Sequence, residues 1–253
     1  MRERNKIYFV SDAHLGTPDY LSSLVREKKL IQWIEEASKD ASEIYLLGDI
    51  FDFWFEYKSV VPRGYVRLLG KLAEITDAGI PIYYFKGNHD MWMFSYFEKE
   101  LGITMLRKPV IKTLKGKKFY ISHGDGLGKG DNGYKFIKSI FSSPVCQWLF
   151  ARLHPNFSIG LGLYFSRKSR SSRGNEDLHF HGEESPKERL VAYARELAKT
   201  ENIDYFVFGH RHLPLEIELT ETSRYINLGD WLSHFTYLEF DGNTATLKKF
   251  IQG

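Results

Sequence analysis

The chain is nearly free of cysteine. Among its 253 residues only Cys146 carries a thiol, which excludes an internal disulfide and fits a reducing compartment. Long apolar runs are missing as well: no segment approaches the roughly 20 apolar residues of a membrane-spanning helix. The start, MRERNKIYFVSD, is charged, and its apolar stretch is about half the shortest core of a secretory signal. These absences set the expectation of a cytoplasmic protein that can still touch a membrane surface. Charge of one sign is lacking too. The formal net charge is +3, with no long basic stripe, so neither a global polyanion-binding face nor a nucleic-acid partner is expected. Nothing in the sequence specifies an oligomeric state.

What is present is apolar and patterned. The chain is 43% hydrophobic, enough for the core of one large α/β domain spanning 1–253, with or without an insertion. Near-continuous β-rich runs recur, as in strands buried on both faces. KIYFV leads into Ser11, Asp12, Ala13 and His14. EIYLL leads into Gly48 and Asp49, and IPIYYF into Gly87, Asn88 and His89. KKFYI leads into Ser122, His123 and Gly124, and DYFVF into Gly209, His210, Arg211 and His212. Helical periodicity separates several of them, as in LSSLVREKKLIQWIEEASK and YVRLLGKLAEITDAG, the latter with a glycine suited to a C-cap. SPKERLVAYARELAKT opens with Ser-Pro, an N-cap and first-turn pair. Strands alternating with helices predict an α/β layered fold. Near the C-terminus LEIELT, RYINLG, TYLEF and TATLKKF follow closely, with Asp241-Gly242-Asn243 as a hairpin turn.

Asn, Gly and Asp are ordinary turn residues. One polar strand end is therefore unremarkable; five that carry Asp, His or Asn where open α/β sheets bind ligands read as a site. Asp12 and His14 share one side of an extended segment, as do His210 and His212. Carboxylates, imidazoles and the amide oxygen of Asn88 suit Mn²⁺, Fe or Zn²⁺ and are too rich in nitrogen for Ca²⁺. Seven such residues exceed one four-coordinate site, whereas two metal ions sharing a carboxylate would use them all. His154, His179, His181 and His234 fall outside this pattern and suit surface or helix-cap roles.

DAH, GDIFD, GNHD, HGD and GHRH, in this order and on strand ends, resemble the five blocks of the calcineurin-like metallophosphoesterases, over residues 6–230. The resemblance implies a β-sandwich flanked by helices and a dinuclear centre. Asp12, His14, Asp49 and His212 would hold one metal. Asp49, Asn88, His123 and His210 would hold the other, with Asp49 bridging. His89 would lie at the leaving-group oxygen, as acid or charge stabiliser, and Asp52 would orient it by a hydrogen bond.

Some sixty residues separate His123 from the helix near Lys187, too many for a plain loop. Phe136, Ile137, Ile140 and Phe141 fall on one helical face. After Pro144, Trp148, Leu149, Phe150 and Leu153 continue the pattern up to His154-Pro155. A second apolar segment, Phe157 to Phe165, ends in Arg167, Lys168, Arg170 and Arg173. This predicts an inserted helical cap over 131–183, an aromatic helical hairpin with a basic end. Packing on the core is its plain role; an apolar groove for acyl chains, with cations for phosphate or anionic headgroups, is its functional one.

The cap, HGD-x-L with a following D-x-x-Y, and NLGDW are similar to the UDP-2,3-diacylglucosamine hydrolases of lipid A synthesis. That resemblance implies cleavage of UDP-2,3-diacylglucosamine to UMP and lipid X, two divalent ions with Mn²⁺ the usual metal, and peripheral association with the inner membrane. Asp131 and Tyr134 would face the substrate headgroup; Arg167, Ser169 and Arg170 match a basic cap segment more loosely. One block departs: the best-known branch reads GNRD, and this chain has His89. Arg is a fixed charge, while His can also exchange a proton. A phosphodiesterase for another nucleotide or nucleotide-linked lipid is therefore the alternative, and a catalytically dead scaffold would lack ligands that are all present here.

Overall fold

The computed structural model describes residues 4–130, 132–173 and 189–251, with the backbone alone for 169–173. Asp131, the Ser-Pro pair at Ser185, His179 and His181 lie outside the described residues, as do the side chains of Ser169, Arg170 and Arg173.

Two sheets form the centre. In one, β11 (Ala245–Lys249), β10 (Thr236–Phe240), β1 (Lys6–Val10), β2 (Ala41–Leu46), β3 (Ile82–Phe85) and β4 (Thr104–Leu106) lie side by side in that order. In the other the order is β5 (Val110–Leu114), β6 (Lys117–Ser122), β7 (Tyr205–Phe208), β9 (Arg224–Leu228) and β8 (Pro214–Glu218). β1 to β4 pair in parallel, and so do β6, β7 and β9. The C-terminal hairpin adds β10 antiparallel to β1.

The period of two along each strand sorts side chains between separate cores. Ile7 and Phe9 of β1 face the other sheet, while Tyr8 and Val10 face the helices. In β7, Tyr205 and Val207 point between the sheets and Phe206 and Phe208 point to the far helix. That double burial is why these runs are continuously apolar. Phe119, Phe9, Tyr45 and Tyr83 stack in succession with ring centroids 4.7–5.9 Å apart, joining the two sheets.

Helices α1 (Tyr20–Ser38), α2 (Val66–Asp77) and α3 (Tyr96–Leu101) cover one outer face, through Leu30, Trp33, Leu68, Leu72 and Phe97. Asp19 caps α1, accepting from the Ser22 N–H at 2.9 Å. Beyond β6 come α4 (Asn132–Ser142), α5 (Pro144–Phe150) and α6 (Pro155–Arg173); α7 (Arg189–Ala198) then covers the other outer face with Leu190, Val191 and Ala194. His154 caps the start of α6, its Nδ1 accepting from the Asn156 N–H at 3.3 Å.

Parallel pairing puts the ends of β1, β2 and β3 on one edge, and those of β6 and β7 on the matching edge of the second sheet. All five polar strand ends therefore meet.

Candidate metal centre and catalytic site

The loops after the strands are bent sharply. Asp12, His14, Asp49, His210 and His212 all have positive φ, between 43° and 70°. Residues other than glycine adopt that region at a cost, and they cluster so at functional sites.

Three groups of potential ligands result: Asp12, His14 and His212; Asp49, His123 and His210; and His14, Asp49 and His89. Within each group the ligand atoms lie within 4.8 Å of one another. Asp49 Oδ2 stands 3.9 Å from His14 Nε2 and 3.3 Å from His123 Nε2, between the first two groups. Asn88 Oδ1 is 3.4 Å from His123 Nε2, so the amide oxygen joins the second group.

The imidazoles are held from behind. His14 Nδ1 is 3.2 Å from Asp52 Oδ1, His123 Nδ1 donates to the Leu47 carbonyl at 2.7 Å, and His212 Nδ1 is 3.5 Å from Asp230 Oδ2. With Nδ1 occupied, Nε2 of each ring points at the cluster, the arrangement of a metal-ligating histidine. Two features test whether cations fit. The Nε2 atoms of His14 and His212 face each other at 3.1 Å. Asp12 Oδ1 is buried with no hydrogen-bond donor, though it lies 3.4 Å from His212 Nε2. A buried acceptor without a donor beside converging imidazole nitrogens fits a divalent ion of the Mn, Fe or Zn class.

Charge tells the same story. Burial alone would raise the Asp49 carboxyl, but the charges of His123 and His89 hold it well below the usual carboxylate range. Burial works against charged His14 and His123, yet the neighbouring Asp12 and Asp52 carboxylates lift His14 to about 9, and the Asp49 charge lifts His123 to about 10.

Close approach explains the glycines. A β-carbon at Gly87 would sit 2.1 Å from Asp49 Oδ1, and one at Gly209 would sit 2.5 Å from Asp12 Oδ2. The backbone must leave that room for the carboxylates. Three residues with no role assigned from sequence support this framework. Asp90 is buried, accepts from the Gly87 N–H at 2.7 Å, the Ile50 N–H at 3.0 Å and the Tyr84 hydroxyl at 2.5 Å, and so ties the second block to the third. Asp230 backs His212, which holds its carboxyl low against the effect of burial. Asn227 donates to the Gly209 carbonyl at 2.7 Å. Asp90, Asp230 and Asn227 were visible in GNHD and NLGDW as pattern; their partners were not.

His89 differs from expectation. The Asp52 carboxylate stands 3.9 Å from His89 Nδ1 and 3.2 Å from His14 Nδ1, so its short contact is to the metal-ligand candidate. His89 Nδ1 instead lies 3.2 Å from the Asp52 backbone carbonyl and 2.7 Å from Ser166 Oγ on α6. No sequence signal marked Ser166, an ordinary serine inside a helix. His234 is half-buried beside Asp230, 3.4 Å from its Oδ1.

The inserted helices rest on the loops of blocks two and three. Phe150 packs on Phe53, Phe55 and Trp92, with centroids 6.0, 4.8 and 4.5 Å away, and Trp92 Nε1 donates to the Phe141 carbonyl at 2.7 Å. Between α1 and α6 a cavity of about 540 Å³ opens beside Gly16. Tyr20, Leu24 and Leu163 give it apolar walls, Arg63 and Arg167 give it cations, and Asp19 and Glu27 give it carboxylates. Arg167 thus lines a cavity next to the site. Tyr134 donates to Asp125 Oδ2 of the fourth block at 2.5 Å, and Lys138 pairs with the same oxygen at 2.6 Å.

The profile of the calcineurin-like phosphoesterases matches residues 5–214. A UDP-2,3-diacylglucosamine hydrolase of Porphyromonas gingivalis is 38% identical over 97% of this chain and 97% of its own. Proteins of the same name from Aeromonas salmonicida and Vibrio cholerae are each 28% identical, over 91% and 94% of this chain and 87% and 96% of theirs. The clustered Asp, His and Asn side chains and these full-length matches agree: the chain belongs to the UDP-2,3-diacylglucosamine hydrolase family of the calcineurin-like phosphoesterases.

Proposed function

We propose that this protein hydrolyses the pyrophosphate bond of UDP-2,3-diacylglucosamine, giving UMP and 2,3-diacylglucosamine 1-phosphate (lipid X), for lipid A synthesis. The observation that carries the reaction type is Asp49, whose carboxylate stands between two ligand groups. Asp12, His14, Asp49 and His212 would hold one divalent ion, and Asp49, Asn88, His123 and His210 the second, with Mn²⁺ the metal of choice. Bound there, such ions would supply Lewis-acid activation of water and neutralise charge during in-line displacement at phosphorus.

The chain's own residues set up that chemistry. Asp52, the Leu47 carbonyl and Asp230 fix the ligand imidazoles by Nδ1. His89, held at Nδ1, would carry charge or a proton at the leaving oxygen. The named relatives support the substrate, and the cavity beside α6, lined by apolar, cationic and acidic side chains, is where Arg167 would meet the glucosamine phosphate and Leu163 an acyl chain. Asp131, Tyr134, Ser169 and Arg170 complete the proposed substrate contacts. Helices α4 to α6 would form a cap. Phe136, Ile140, Val145, Trp148 and Phe157 are exposed on it, suited to the bilayer that carries such a lipid. No helix among the described residues is long and apolar enough to cross a membrane, so the association would be peripheral, at the cytoplasmic face of the inner membrane.

A second reading rests on His89 in place of the Arg of the best-known branch: the same centre acting on another nucleotide-linked lipid. A product assay separates the two. With Mn²⁺, purified protein should form UMP and lipid X from UDP-2,3-diacylglucosamine and cleave a plain aryl phosphodiester weakly. Aryl cleavage without lipid X would favour the second reading.

A further inference from the structure

Helix α6 presents one narrow buried face to the catalytic loops. Ser158, Gly162 and Ser166 recur every four residues and are buried, while Gly160, Tyr164 and Phe165 around them are exposed. Each of the three meets a different residue beneath the insertion. Ser158 Oγ bonds the Tyr57 hydroxyl. Gly162 lies under Phe53, where a β-carbon would come within 2.4 Å of the ring. Ser166 Oγ reaches His89 Nδ1 at 2.7 Å.

We propose that Ser166 is a positioning residue for hydrolysis, fixing the ring plane of His89 from the inserted helix. The claim rests on the reading that His89 acts on the leaving oxygen. Nδ1 also lies 3.2 Å from the Asp52 carbonyl, an oxygen that only accepts. A proton on Nδ1 therefore satisfies both contacts, with Asp52 O and Ser166 Oγ as acceptors. Nε2 is then the nitrogen that meets substrate. An imidazole with one such anchor still swivels; two anchors on opposite structural units define its plane. The neighbouring Arg167 and the preceding turn at Leu163 line the cavity beside the site. One turn of α6 thus both borders the substrate cavity and holds the ring, so occupancy of that cavity and the orientation of His89 depend on the same helix seat. A chain with Arg at this position would have no imidazole plane to fix, so the Ser–His pair goes with this chain's departure in the third block.

The test compares Ser166→Ala, Ser166→Thr, Ser158→Ala and His89→Ala, with a Ser166→Ala/His89→Ala double variant. Steady-state rates are read on UDP-2,3-diacylglucosamine and on an aryl phosphodiester, with metal content measured for each. The ¹⁵N shifts of His89 are recorded in metal-free protein. Ser166→Ala should lower kcat roughly tenfold, the scale of a lost orienting hydrogen bond, with KM within about twofold and metal content unchanged. Ser166→Thr, which keeps the hydroxyl, should recover most of the rate. In the His89→Ala background Ser166→Ala should add no further loss. The neutral His89 ring should stay in the Nδ1–H form that the Asp52 carbonyl favours, with its Nδ1 shift moved by loss of the Ser166 contact. Ser158→Ala, which loosens the same helix without touching His89, should stay near the parent rate. Three results would overturn the proposal: a parental kcat in Ser166→Ala, an undiminished loss in the His89→Ala background, or an equal loss in Ser158→Ala. Failure of the substrate reading would instead appear in the parent protein as absent lipid X, and the rate ratios on the aryl diester and the ¹⁵N shifts would still decide on Ser166.

Discussion

Asp52 shows how one side chain's neighbours decide its role. Its carboxylate is fully buried and its short contact is to His14, so its loss should be felt first in metal binding. Asp52→Asn should weaken one of two ions by about 10- to 100-fold, measured by titration with metal content as readout; a loss of kcat with both affinities unchanged would return Asp52 to His89. Asn88→Ala should lose one ion and nearly all turnover while circular dichroism stays native. The histidines also link metal to pH. In the metal-free protein His14 at about 9 and His123 at about 10 stand above the ordinary imidazole value. Their charged forms stabilise the fold fully below about pH 6.5, and that stabilisation fades as pH rises through 9 to 10. Chelated protein should therefore lose thermal stability between pH 6.5 and 10. Ligation needs neutral imidazole, so metal uptake at pH 7 should release about two protons, read by calorimetry in buffers of different ionisation enthalpy.

At the scale of elements, the turns carry most of the design. The strand ends bend back through left-handed backbone, and glycines leave space for the carboxylates that the bend delivers. Gly87→Ala would drive a β-carbon into Asp49 Oδ1, 2.1 Å away. It should cost at least about 2 kcal/mol and abolish binding of both ions, because Asp49 borders both groups; a denaturant curve with metal analysis checks this. Helices α1 and α2 were legible because packing on a sheet demands a one-sided apolar stripe. The short edge strands β4 and β5 left no comparable mark, since three to five residues with exposed positions carry too little periodicity. The insertion read as a hairpin, and its described residues form three helices: α5 ends at Phe150, and Pro155 opens α6, as the missing proline N–H costs nothing in a first turn.

At the scale of the whole molecule, the described residues form two sheets with three apolar layers, one between the sheets and one under each set of helices. Phe119 sits at the middle of the inter-sheet layer with stacked neighbours on either side. Phe119→Ala should cost about 3–5 kcal/mol by urea unfolding and, because it lies in the sandwich that sets one sheet edge against the other, should also weaken metal binding. The exposed aromatic face of α4 to α6 belongs to this scale too. Replacing Phe136 and Trp148 by Asp should reduce co-sedimentation with anionic vesicles several-fold while leaving aryl diester cleavage near parental.

Local chemistry was legible without coordinates because ligand residues must be particular types at strand ends. The β-runs, the blocks from Asp12 to His212 and the hydrolase family all follow from residue order. Partnership was a different matter. That Asp52 backs His14, that Asp230 backs His212, that Asp90 ties two blocks together, and that Ser166 reaches His89 depend on contacts across 18 to 77 residues of chain. No periodicity encodes them. They arise only when parallel pairing aligns the strand ends and α6 seats its small-residue face on the catalytic loops, so the ligand types were written in the sequence and their mutual orientation was decided by packing.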